Sequence, residues 1–245
     1  MLRYFSALNK NCRRPHLACA MCLSLFLTLA DSATAQSTGR TLVRVEEDWV
    51  ALIGEPDAAT SSPQIMNFIS PIQSTEGIFG LVQVNHRGAP EFQDGGLQVQ
   101  GWVGSWLSGS ADANKYAKLN QNADNLRYTV AMEKVTNGIK FQLLNGRSRT
   151  WGRFAQTPVS VVVTVNEPSL EDYSPEFSVA NTNVNLGAHR VELLYLTATR
   201  FKYSDNATVT DNTDRVIHRY QLNVDDVPLT EYELNIGDYT TEITE

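Results

Sequence analysis

Apolar and polar residues alternate along most of this chain in short runs, separated by clusters of Gly, Pro, Asn and Asp. Alternation with a period of two sends successive side chains to opposite faces of a strand, so the pattern predicts an antiparallel β-sandwich or barrel. Strands are expected over Thr41–Val45, Trp49–Ile53, Gln64–Ile69, Gly77–Asn85, Leu97–Leu107, Leu126–Val135, Ile139–Leu144, Ser148–Phe154, Val159–Val165, Phe177–Ala180, Val191–Tyr203 and Arg215–Val224. The Val159–Val165 run is apolar enough to predict burial on both faces. A helix is expected over Ala111–Leu119, inside the polar stretch from Ser108 to Asn125.

Two Asn-Gly pairs set the expected register. Type I′ hairpin turns need positive φ at both central residues, which favours Asn-Gly. A turn at Asn137-Gly138 places Met132 opposite Leu143 and Glu133 opposite Gln142. A second at Asn145-Gly146 places Leu143 opposite Ser148, Gln142 opposite Arg149 and Lys140 opposite Trp151. Leu126, Tyr128, Val130, Met132, Phe141 and Leu143 then face inward. Lys140, Gln142, Arg147, Arg149, Trp151 and Arg153 face outward. Guanidinium forks match carboxylate or sulfate, and an indole face stacks on a sugar ring, so this stripe suits an acidic glycan. The structural alternative is that the arginines lie over Trp151 and pair with acids such as Glu133.

A second stripe runs through Gly96–Leu107. Alternation sends Leu97, Val99, Val103 and Leu107 inward, and Gln98, Gln100, Trp102 and Trp106 outward. Aromatic planes with amides suit a neutral sugar: the rings meet its C–H face and the amides meet its hydroxyls. The structural alternative is a covering layer over the two tryptophans. Alternation, length and outward tryptophans together resemble concanavalin-like and jelly-roll sandwiches, a class that includes many carbohydrate-binding modules. The resemblance is one of architecture.

Composition narrows the compartment. Arg3, Lys10, Arg13 and Arg14 make a basic leader, Leu17–Ala30 is an apolar stretch too short to span a bilayer, and Ala33-Thr34-Ala35 reads as a cleavage site before Gln36. The chain therefore divides into a cleaved secretion signal (1–35), one all-β sandwich domain (36–224) and an acidic C-terminal extension (225–245) in which Tyr232, Leu234 and Ile236 could form a further strand. Secretion or a periplasmic or envelope location is expected, with no membrane insertion of the mature chain. Cys12, Cys19 and Cys22 all fall in the leader, so the mature chain has no thiol chemistry. The leader also carries four basic residues and Asp31, leaving 16 basic residues against 26 acidic ones. That balance disfavours nucleic acid as a partner.

Catalytic signals are weak. His86, before the Gly88-Ala89-Pro90 turn, is the best-placed general-base candidate but lacks a visible partner. The spacing E-x-D-x-E is absent, as are G-x-S-x-G and H-E-x-x-H. Asp205, Asp211 and Asp214 lie in a polar segment that could wrap a structural calcium ion, although without EF-hand spacing. No other cofactor is implied. The expectation is an exported, non-catalytic protein that binds extracellular polysaccharide. The alternatives are a structural envelope or matrix protein, or a polysaccharide hydrolase or lyase.

Overall fold

The computed structural model describes residues 39–55, 63–74, 77–86, 95–113 and 123–219. The expected secretion signal and acidic extension lie outside the described residues. The chain forms two antiparallel sheets, as the alternation predicts. The larger has the strand order β12 (Thr208–Asp211), β11 (Val191–Tyr203), β1 (Leu42–Ile53), β6 (Asp124–Val135), β7 (Gly138–Ser148), β8 (Gly152–Phe154), with β13 (Arg215–Arg219) also on β11 and β9 (Val159–Thr164) also on β7. The smaller sheet runs β10 (Asn183–Leu186), β2 (Gln64–Ile69), β3 (Ile78–His86), β4 (Gly96–Val103), β5 (Trp106–Ala113).

The core lies between the sheets. Val45, Trp49, Ala51 and Ile53 of β1 join Leu126, Tyr128, Val130 and Met132 of β6, and Ile139, Phe141 and Leu143 of β7, against Ile65, Val82, Val84, Leu97 and Val99 of the smaller sheet. Gly80, Gly101 and Gly109 stand opposite one another across β3, β4 and β5. A methyl group at Gly80 would collide with the Phe141 ring, and one at Gly101 with Val163. The glycine row is thus the recess that admits side chains from the larger sheet.

Several expected elements differ. Thr41–Val45 and Trp49–Ile53 are one continuous strand, β1. The expected strand Leu97–Leu107 is two strands, β4 and β5, reversed at Gly104 (φ 54°) and Ser105. Val103 and Leu107 are therefore exposed rather than inward. Ala111–Ala113, expected to open a helix, continues β5; the rest of that expected helix lies outside the described residues. Phe177–Ala180, expected as a strand, belongs to α1 (Pro175–Asn181). Ser174 caps it by accepting from the Glu176 amide, and Pro175 stands in its first turn, where a missing N–H costs nothing. Val159–Val165 is not buried on both faces: Val159 and Val163 are buried while Ser160, Val162 and Thr164 are exposed.

Glu47 departs from the apolar inner row. It is fully buried on β1 and accepts hydrogen bonds from Trp49 Nε1 (2.9 Å), the Tyr173 hydroxyl (2.8 Å) and the hydroxyl of Ser178 on α1. Burial raises its pKa from 4.5 to about 7, outweighing the opposing effect of those donors and of Arg215. Between these values the folded chain holds a proton that the unfolded chain has lost. Stability therefore falls as pH rises from about 4.5 to about 7. Denaturant titrations across that interval are expected to show a loss on the order of 2–3 kcal/mol from this group, and Glu47→Gln is expected to flatten the slope.

Candidate ligand-binding cleft

The outer face of the larger sheet carries a lattice of paired charges. Glu46 on β1 binds Lys202 Nζ (2.5 Å), Arg44 Nε (2.7 Å) and Arg200 Nε (3.0 Å). Burial would raise its pKa, but hydrogen bonds from Lys202, Arg200 and Arg44 outweigh this and hold it at about 2. Arg200 also grips Asp48, with Nη2 2.8 Å from Oδ1. Glu133 on β6 joins Lys140 (2.6 Å) and Arg44 (3.1 Å).

Beside this lattice the pattern changes. Arg127 on β6 stands opposite Arg147 on β7, and Arg147 stands opposite Arg153 on β8. Like charges set directly across strands repel, at a cost of about 0.2–1 kcal/mol per pair. Among the described residues neither Arg127 nor Arg153 forms an ion pair. The Nε of Arg127 is buried without a hydrogen-bond partner. The three arginines line one end of a cleft of about 850 Å³ that runs across β8, β7, β6, β1 and β11. Continuing from Arg127, the same row meets Val50 and then Tyr195. A parallel row of Asn145, Thr129 and Asp48 flanks it. Thr129 donates to Asp48 Oδ1 (2.8 Å), and Thr197 donates to the Asp48 carbonyl (3.0 Å). Asp214 closes one side. The cleft thus offers cationic donors at one end, and hydroxyls, an amide and carboxylates along the rest.

The register that creates this row departs from the expected one. The first hairpin pairs Val135 with Gly138, Glu133 with Lys140 and Met132 with Phe141, two residues from the expected register, and neither Asn137 nor Gly138 has positive φ. An even shift keeps every side chain on its expected face. Asn145-Gly146 is no turn: β7 runs straight through it, with a bulge against β6 between the Thr129 and Val130 pairs. Gly146 serves packing instead, since a methyl there would collide with the Phe154 ring. Lys140 therefore faces Val162, and Gln142 faces Ser160, rather than Trp151 and Arg149. The reversal comes at Arg149–Trp151, with Gly152 in a left-handed conformation (φ 63°). Asp124 holds this turn, accepting the amides of Arg149 (2.7 Å) and Thr150 (2.9 Å), while Ser148 Oγ accepts that of Trp151 (2.8 Å).

The predicted arginine stripe is thus divided. Arg147 and Arg153 line the cleft, Arg149 points from an exposed turn, and Trp151 is half-buried with its ring edge-on to Phe154 at 5.3 Å. Arg127 went unmarked as a site residue. Its parity with the inward Leu126 and Tyr128 places it outward, but the assumed turn at Asn145-Gly146 hid its alignment with Arg147.

The tryptophan stripe is rearranged more. Across the outer face of the smaller sheet, Asn185 donates to Gln64 (3.3 Å), Gln64 to Gln83 (2.6 Å), Gln83 to Gln98 (2.8 Å) and Gln98 to Asp112 (2.7 Å). Gln100 donates to Gln98 (2.6 Å) and accepts from Trp102 Nε1 (3.1 Å). Gln98 is only 9% exposed and engaged on both sides, so it is a member of this ladder and its amide is not presented to solvent. Trp102 is half-buried, parallel to Phe79 at 6.0 Å. Trp106 lies beyond the Gly104 turn, opposite Val103 and away from the Trp102 row, and is 79% exposed. The two tryptophans do not form one platform.

His86, expected at the solvent edge, is 8% exposed. Asn85 (φ 61°) breaks the pairing there and turns His86 onto the ladder, with Nδ1 2.9 Å from Gln83 and 3.0 Å from Gln64. Burial removes the solvent access a general base needs. The three candidate calcium ligands are split. Asp205 accepts the Ala207 amide (3.0 Å), Asp211 accepts the Thr213 amide (2.9 Å) and pairs with Arg215 (2.8 Å), and Asp214 lines the cleft. Among the described residues, no group of three or more His, Cys, Asp or Glu gathers as a metal site.

No family model and no curated protein matches the chain. Among solved structures, the crystal structure of scytalido-glutamic peptidase with a transition state analog inhibitor is 13% identical, covering 74% of this chain and 87% of that one at a TM-score of 0.24. A similarity of that size carries no argument about this chain.

Removing the turn anchor tests the local account. Asp124→Ala leaves the Arg149 and Thr150 amides without acceptors, a cost of about 1–3 kcal/mol. Hydrogen exchange at those two amides is expected to accelerate well beyond that at the centre of β7.

Proposed function

We propose that the protein is an exported, non-catalytic binder of extracellular polysaccharide, and that the class it takes is acidic. The observation that carries this reading is the row of Arg127, Arg147 and Arg153 at the cleft end, in which neither Arg127 nor Arg153 forms an ion pair among the described residues. On a chain with an acidic balance, cations set directly across neighbouring strands repel one another, and an anion in the cleft would relieve that repulsion. Charge-assisted bonds from arginine to carboxylate or sulfate are the strong class of hydrogen bond. The flanking Asn145, Thr129, Asp48 and Thr197 supply donors and acceptors of the kind that meet sugar hydroxyls. A neutral-sugar platform on Trp102 and Gln98 is less well supported, because the ladder already engages both.

A second reading, association with an envelope or matrix partner, draws on the exposed Val103, Trp106 and Leu107 at the β4–β5 hairpin. One experiment separates the two. Residues 36–245 are tested for retention on uronate, sulfated and neutral polysaccharides at low and high salt. Salt-sensitive retention on an acidic polymer is expected, weakened about tenfold or more by Arg153→Ala and unaffected by Trp106→Ala. Retention on none of the polymers overturns the saccharide reading.

A further inference from the structure

The row that crosses the larger sheet changes character along its length. From β11 to β8 it reads Tyr195, Val50, Arg127, Arg147, Arg153, apolar at one end and cationic at the other. At the apolar end Leu193 and Leu52, themselves paired, stand on the same face as Tyr195 and Val50. These four form a cluster of their own, none more than 8% exposed, although they point away from the core between the sheets. Burial on an outer face needs a further layer. The described elements packed on β1 and β11 are chiefly their sheet neighbours and α1, and α1 meets the inner face, through Ser178 and Glu47.

The chain itself supplies a matching segment, outside the described residues. β13 ends at Arg219, paired with Leu193 at the apolar end of the row. The sequence continues with Tyr220, Leu222 and Val224, alternating with polar residues, and then with Asp225, Asp226, Glu231 and Glu233. Between Tyr220 and Glu245 there is no Lys or Arg. The order of its chemistry, apolar and then anionic, is the order of the face it would cross. Four strand spacings separate β11 from β8, about 19 Å, a distance that about six extended residues span. The acids over 225–233 are therefore within reach of the arginine end of the cleft.

We propose that residues 220–233 strap the outer face of the larger sheet. Tyr220, Leu222 and Val224 cover the cluster of Leu52, Leu193, Val50 and Tyr195, and the carboxylates that follow occupy the arginine end of the cleft. The strap is thereby a tethered competitor for an acidic saccharide. In that regulatory role the inference rests on the acidic-saccharide reading, whereas its geometry does not. Tethering raises the effective concentration of the segment, so ion pairs that are individually weak suffice to seat it, and salt loosens them.

The test uses residues 36–245, which contain no cysteine, so that Thr230→Cys carries a nitroxide at a single site. Paramagnetic broadening is expected at the amides of Arg147 and Arg153, with Gln83 and Gln98 on the smaller sheet unaffected, and it is expected to fade at high salt. Replacing Asp225 and Asp226 by Asn, and Glu231 and Glu233 by Gln, is expected to weaken the broadening. In the chain without nitroxide the same four substitutions are expected to strengthen retention on an acidic polysaccharide about tenfold. Broadening that is absent from the arginine end, or equal on both sheets, overturns the strap. Broadening that persists when nitroxide and isotope label are on different molecules assigns the contact to a second copy and overturns it as well. Broadening as expected, with retention unchanged by the substitutions, overturns the competition. A seated strap on a chain that no acidic polymer retains, with or without its acids, upholds the strap and overturns the saccharide reading.

Discussion

The close approach of Phe141 to the glycines of the smaller sheet is the contact on which the sandwich depends. Gly80 and Gly101 face each other across β3 and β4, and neither could carry a methyl group without striking Phe141 or Val163. Interiors pack at near-crystalline density, so a side chain of this size is admitted only where the facing strands yield volume. With Phe141 seated inward, the parity of β7 is fixed, and through its pairing the parity of β6 and β1 follows. The bulge between the Val130 and Thr129 pairs then inverts β7, which turns Asn145 and Arg147 outward. The same device recurs at the sheet's edge, where Gly146 yields to Phe154 and so brings β8, with Arg153, alongside Arg147.

Two kinds of polar surface result. On the larger sheet, Glu46, Asp48 and Glu133 neutralise Arg44, Arg200, Lys202 and Lys140, and further along β6 and β7, with β8 beside them, Arg127, Arg147 and Arg153 stand opposite one another. On the smaller sheet, the carboxamides form a one-way chain toward the Asp112 carboxylate, each accepting from the previous residue and donating to the next. The amide ladder is a satisfied network, the condition under which buried polar groups stiffen a sheet rather than weaken it. The arginine row differs at its inner end. Its charges are aligned, and its innermost Nε lacks a partner. The contrast is between a polar network closed on itself and a row of like charges set side by side.

The sheets were legible in the sequence because period-two alternation survives wherever one face is buried. Leu126, Tyr128, Val130, Met132, Phe141 and Leu143 all lie inward as the pattern predicts. What alternation cannot convey is where a strand reverses. Gly104 and Ser105 turn within an unbroken run of strand-like residues, and Trp106 thereby left the face assigned to it. Asn145-Gly146 carries a strong turn signal, yet its glycine is needed for Phe154, a tertiary demand that no local window contains. The Asn85 bulge moved His86 in the same way, from an expected solvent edge into the amide ladder. Of the candidate site, Arg147 and Arg153 were placed outward through the assumed turn at Asn145-Gly146, and the bulge in β7 gives Arg147 the same face by another route. Arg127, Tyr195 and Asp48 needed the strand order, which brings β6, β1 and β11 together from distant parts of the chain.

The central claim is that an acidic saccharide occupies the cleft on the outer face of the larger sheet. Backbone amide NMR of residues 36–245 during titration with trigalacturonate tests it most directly, because it locates the ligand without disturbing the protein. The account predicts shifts concentrated at Arg127, Asn145, Arg147, Arg153 and Thr197, with Gln98, Trp102 and Trp106 unmoved. Shifts confined to the smaller sheet, or the absence of any, would contradict it.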